Sequence, residues 1–156
     1  MGVKRYVASK DTTITNAYKS NLSTRGTGSN MGAADVLELF SIYGQAQELN
    51  TYTTVSGTFN SQELSRILIE FPTTNIQTDR TNEDIPGSGS VDFYLRMFNA
   101  KHGSTTPKNA KVVIATVDSA WEEGFGLDMV EYKDDTRNEE GANWINSASN
   151  APWDNV

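Results

Sequence analysis

The lone histidine, His102, sits in Lys101-His102-Gly103-Ser104, and histidine with serine is the pairing from which hydrolytic nucleophiles are built. Ser104 is too near in sequence to argue a triad, and the Gly-x-Ser-x-Gly elbow must follow a strand. Gly87-Ser88-Gly89-Ser90 precedes one instead. His102 therefore reads as a solvated loop residue. Glu122 and Glu123, beside Trp121, offer the two carboxylates that glycoside hydrolysis requires. Neighbours on an extended chain point to opposite faces, so the pair would not converge on one bond. No catalytic residue and no enzymatic activity are expected.

Asp128, Glu131, Asp134, Asp135, Glu139 and Glu140 collect carboxylates in one stretch, the kind of oxygen supply that a hard cation wants. The Asp-x-Asp-x-Asp-Gly spacing is absent, and Arg137 falls inside the run. An acidic interface or solvent-facing patch is the better reading, with no metal and no cofactor expected. Gly26-Thr27-Gly28 lacks the third glycine and the Lys-Ser/Thr of a phosphate loop and reads as a turn. Trp121, Trp144 and Trp153 could stack on sugar rings or contact another protein. Large aromatics in a loop-rich region more often plug the end of a β-fold.

The elements that must hold these residues come from one domain's length of chain. At 156 residues the protein can bury about two-thirds of its unfolded surface. The hydrophobic fraction is 37%, and Ser, Thr and Asn total 45 residues, a balance suited to short half-buried strands rather than a helical bundle. No run approaches a membrane span and the first residues lack the apolar core of a signal peptide. Tyr6 stands where myristoylation wants Ser or Thr. There is no cysteine, so no disulfide or thiolate site is available. The net charge of −7 is local: residues 118–140 hold nine acids against Lys133 and Arg137, while residues 1–117 hold eleven bases against ten acids. With no basic stripe, nucleic acid is not an expected partner.

Strand-like alternation is clearest in residues 91–98, where Val91, Phe93, Leu95 and Met97 share one parity and Asp92 and Arg96 the other. In residues 65–71 the set Ile67, Ile69 and Phe71 is expected inward, and Pro72 ends the ladder. Residues 36–43 and the β-branched run 111–118 are further strands, with shorter ones at 5–8 and 12–16. A helical turn is expected within 76–85, and irregular structure after residue 120. Long Gly-rich connectors between strands suggest chain crossings between sheets, hence an all-β, antiparallel jelly-roll or Greek-key sandwich. One domain is expected, with core strands in 1–117 and an acidic, Trp-containing extension in 118–156 packed on it.

The order of short motifs resembles the DNRLRE-type β-sandwich family. Lys10-Asp11-Thr12-Thr13-Ile14 stands for its first strand and Asn30-Met31-Gly32 for its N-x-G loop, followed by the strands at 63–71 and 90–98. Trp121-Glu122, Asn143-Trp144 and Ala151-Pro152-Trp153 complete the series. Within it, the opening Met-Gly-Val-Lys-Arg-Tyr-Val-Ala-Ser, together with Tyr132-Lys133-Asp134 and Asn143-Trp144-Ile145-Asn146, is similar to virion structural proteins of contractile-tailed cyanophages. The resemblance implies a non-enzymatic virion component, made in the host cytoplasm, whose partners are other virion proteins and copies of itself. Other members of the family imply the alternative of a glycan-binding module. The family pattern continues past Ala-Pro into further strands, which are expected either from additional chain or from a neighbouring subunit by strand addition.

Overall fold

β-Branched side chains favour the pleated backbone, and Thr12, Thr13, Ile14 and Thr15 place four in succession. They lie in β1 (Lys10–Thr15). The structure, a computed structural model, describes residues 3–45, 60–87, 89–103, 112–127 and 141–153. The other elements are β2 (Ser41–Gln45), β3 (Asn60–Glu70), α1 (Thr73–Thr81), β4 (Asn146–Ala148) and β5 (Ala151–Pro152). The fold is mainly β, with α1 the one helix among the described residues. No helix there is long and apolar enough to cross a membrane.

β3 is the centre of an antiparallel sheet of order β1-β3-β2. Its first half pairs with β2, from Ser41 opposite Leu64 to Gln45 opposite Asn60. Its second half pairs with β1, from Lys10 opposite Glu70 to Thr15 opposite Ser65. Where the two ladders meet, hydroxyls connect the chains. The Ser65 hydroxyl donates to the Glu38 carbonyl at 2.8 Å and accepts from the Phe40 amide at 2.8 Å. The Thr13 hydroxyl accepts from the Glu38 amide at 3.0 Å, and the Thr15 hydroxyl donates to the Leu64 carbonyl at 2.9 Å. Burial of Thr12, Thr13 and Thr15 is complete. For Thr13 and Thr15 these bonds offset the desolvation of a hydroxyl.

By contact the chain divides into two units, Lys10–Glu70 with Ser119–Val156, and Met1–Ser9 with Phe71–Asp118. In the first, Ile14, Leu68, Trp121 and Ala142 form the apolar centre, with half-buried Trp144 and Trp153 against it. The expected strand at 65–71 is the second half of β3, but Leu68 is its buried apolar side chain while Ile67, Ile69 and Phe71 are half-buried. Apolar residues occupy both parities there, so packing against Ile14 and Trp121 decides which turns inward. β4 and β5 form a short hairpin where irregular chain was expected, closed through Asn150 at φ 55°. Asparagine tolerates that left-handed conformation.

In the second unit α1 follows Pro72, whose carbonyl accepts from the Asn75 and Ile76 amides. The helix ends with the Asp84 amide on the Asp79 carbonyl and the Glu83 amide on that of Arg80, around Glu83 at φ 62°. This is the paired closure of a Schellman motif. The strands expected at 91–98, at 111–118 and at 5–8 do not form ladders among the described residues. A suitable alternation makes a chain competent to pair, but a strand exists only with a neighbour. Of the strand expected at 36–43, only 41–43 lie in β2, since residues 38 and 40 spend their amides on Thr13 and Ser65 side chains.

Candidate functional site

Trp121, Trp144 and Trp153 come together in the first unit. Trp121 is 7% exposed and its ring lies 5.5 Å from the Lys10 ammonium. Lys10 also donates to the Trp121 carbonyl at 3.3 Å and to Glu70 at 2.9 Å. Trp144 carries the Arg66 guanidinium over its ring at 4.6 Å, a cation–π contact that covers one face. The Trp153 indole N–H donates to the Asn143 carbonyl at 2.8 Å. The three side chains thus hold sheet, hairpin and loop together, and a sugar would have to displace a guanidinium or open the centre to stack on Trp144 or Trp121.

Asn30 positions this group, and spacing alone did not single it out. Its Nδ2 donates to the Glu123 carbonyl at 2.8 Å and the Ala142 carbonyl at 2.7 Å. Its Oδ1 accepts from the Gly126 amide at 2.9 Å and the Gly32 amide at 3.1 Å. A carboxamide has two donors and two acceptor lone pairs, and all four are used here. The side chain is 1% exposed. Asn143 fixes the hairpin's approach in the same way, its Oδ1 accepting from the Ile145 and Asn146 amides. Gly32 lies so close to the backbone of Glu123 that no Cβ fits. Gly141, at φ 91°, would carry its Cβ into Gly124 and the Asn30 carboxamide. Asn30-Met31-Gly32 and residues 121–126, far apart in sequence, are therefore one interlocked substructure.

The adjacent carboxylates part, as alternation requires. Glu122 accepts from the Ser149 amide at 3.2 Å, and Glu123 accepts from the Asp11 amide at 2.9 Å. Each carboxylate thus tethers backbone. Burial, and then the nearby Glu123 charge, raises the Asp11 carboxyl above its ordinary value. His102 lies in an exposed loop, its Nε2 3.3 Å from the Asn99 side-chain nitrogen. Gly26-Thr27-Gly28 forms a turn closed by the Ser29 amide on the Gly26 carbonyl. Asp128, Glu131, Asp134, Asp135, Glu139 and Glu140 lie outside the described residues. Among the described residues no three His, Cys, Asp or Glu side chains converge as metal ligands.

The second unit presents a different surface. Residues 3–9 are tied to α1 by Lys4, 2.6 Å from Asp79 and 3.2 Å from Asp84, and by the Tyr6 hydroxyl, which donates to Asp79 at 2.6 Å. Hydrogen bonds from Lys4 and Tyr6 lower the Asp79 pKa, and the same bonds raise those of Lys4 and Tyr6. Beyond α1, large apolar side chains face solvent: Phe93, Tyr94 and Phe98 in one run, Val112, Val113 and Ile114 in another. Exposed apolar side chains, where they form a contiguous patch, are the material of contact surfaces.

Comparison with protein-family models, with curated proteins and with solved structures returns no match.

Proposed function

We propose that this chain is a non-enzymatic structural component of a bacteriophage virion, acting through contacts with copies of itself and with other virion proteins. The observation that carries the reading is the exposed apolar surface of the second unit, where Tyr94 is 87% and Val113 89% exposed in backbone that joins no sheet among the described residues. Burying such side chains between subunits yields about 25 cal/mol per Å² of apolar surface, the driving force on which particle assembly runs. Glu122 and Glu123 each accept a hydrogen bond from a backbone amide, which fits an architectural role. The antiparallel sheet and the hairpin fit a jelly-roll or Greek-key sandwich, with exposed segments of the second unit supplying strands on assembly.

The glycan-binding alternative needs an open tryptophan face, and the burial of Trp121 and the Arg66 cover on Trp144 weigh against it. Gold-labelled antibody raised against the chain, applied to tailed phage particles from the native source and viewed by electron microscopy, tests the proposal. Labelling at a repeated position on intact particles is expected. Label confined to host-cell fractions, with none on particles, would overturn it.

A further inference from the structure

Residues 91–102 run without a turn or bend and without a strand partner among the described residues. Their exposure alternates. Leu95 and Met97 are 43% and 52% exposed, whereas Tyr94 and Phe98 are 87% and 81% exposed. The Arg96 guanidinium lies 4.9 Å from the Phe98 ring centre, a contact between residues two apart, which pleated backbone puts on one face. Arg80 of α1 reaches the Phe93 ring on the other parity at 5.9 Å. Exposure thus follows the period of a strand, higher at Tyr94 and Phe98 than at Phe93, Leu95 and Met97, which are themselves 64%, 43% and 52% exposed.

We propose that residues 91–98 pair antiparallel with the same segment of a second copy of the chain, about a two-fold axis through Tyr94. The register follows from charge and alternation. Asp92 and Arg96 are the segment's two charges, equidistant from Tyr94. Centring the pair on Tyr94 sets Asp92 opposite the partner's Arg96, and Arg96 opposite the partner's Asp92. Val91 then meets the partner's Met97, and Phe93 the partner's Leu95, so that apolar residues are opposite apolar ones on the other face. Centring on Leu95 sets Asp92 against the partner's Phe98, and centring on Phe93 sets it against the partner's Tyr94; both leave the charges unmatched. A slip by one residue sets Asp92 against the partner's Met97 or Leu95 and mixes the two faces. The segment has no net charge to repel its copy, and the two-fold relation closes the contact at two chains.

This deepens the subunit-contact reading and rests on it; labelling of particles tests that reading, and solution pairing tests this segment, so either can fail alone. Sedimentation velocity on the full chain is expected to show a concentration-dependent dimer. D92R and R96D, each of which sets like charges opposite one another twice, are expected to weaken dimerisation about tenfold or more. An equimolar mixture of D92R and R96D chains restores opposite signs across the pair and is expected to recover the dimer, as is the double exchange D92R/R96D. The double exchange decides the matter even where a single exchange unfolds, as checked by circular dichroism. Wild-type chain that stays monomeric throughout the micromolar range, single exchanges that dimerise like wild type, or a mixture and double exchange that recover nothing, would overturn the pairing.

Discussion

Asn30 shows how much one buried carboxamide can fix. Its four bonds join the Gly32 loop to residues 123, 126 and 142, and truncation would leave two buried carbonyls and two amides seeking partners. Asn30→Ala is expected to cost about 3 kcal/mol of stability by urea denaturation; a loss within about 0.5 kcal/mol would mean that the loop is held by something else. Asp79 makes a second residue-scale prediction. Its pKa is depressed from 3.8 by Lys4 and Tyr6, so its contribution is full above that value and disappears as pH falls through the depressed one. Lys4 and Tyr6 are raised from 10.5 and 10.0, so theirs are full below those values and disappear as pH rises through the raised ones. A carboxyl-carbon NMR titration should place Asp79 below 3.8 and return it upward in Lys4→Met; an unmoved midpoint in the variant would remove Lys4 as the cause. The residue types around Trp121 were legible in the sequence, including the divergence of Glu122 and Glu123. The role of Asn30 as a hub was not, because an asparagine's worth lies in which distant carbonyls and amides surround it, and Asn30-Met31-Gly32 reads locally only as a loop motif.

At the scale of elements, α1 is a weak helix by composition that is finished at its C-terminus by backbone geometry. Thr78 and Thr81 donate to the carbonyls of Thr74 and Gln77, four residues back, which relieves their hydroxyls without strengthening the helix. Glu83 occupies the left-handed closing position at φ 62°, where a side chain costs energy that glycine does not incur. Glu83→Gly is expected to stabilise the second unit by about 0.5–1 kcal/mol, read as a rise in its thermal midpoint, and a fall would show that the glutamate side chain supports the turn. Threonine content explains why only a helical turn within 76–85 was legible. β1 and the second half of β3 were legible because β-branched runs favour the pleated backbone; β4 and β5 were not, because a hairpin of three and two residues is set by Asn143 and the Asn150 turn rather than by alternation. Residues 91–98 were expected as the clearest strand and form none among the described residues, because alternation alone does not supply a neighbouring ladder.

At the scale of the whole molecule, the two units differ in what they expose. The unit of Lys10–Glu70 and Ser119–Val156 holds an apolar centre, with hydroxyl and carboxamide hydrogen bonds tying the chain around it. The unit of Met1–Ser9 and Phe71–Asp118 carries exposed aromatic and β-branched runs, the surface on which the proposed subunit contacts rest. Composition was enough to read a mainly-β protein from the sequence, whereas the partition into units arises from contacts between distant segments that no local pattern records. The central claim is that the protein works by repeated contact within a particle, and the most direct measurement is the number of copies of this chain in purified virions, counted by quantitative mass spectrometry against isotope-labelled peptides. A fixed copy number per particle, a multiple of a rotational symmetry of the virion, is expected. A chain absent from purified virions, or present only in traces that vary between preparations, would contradict it.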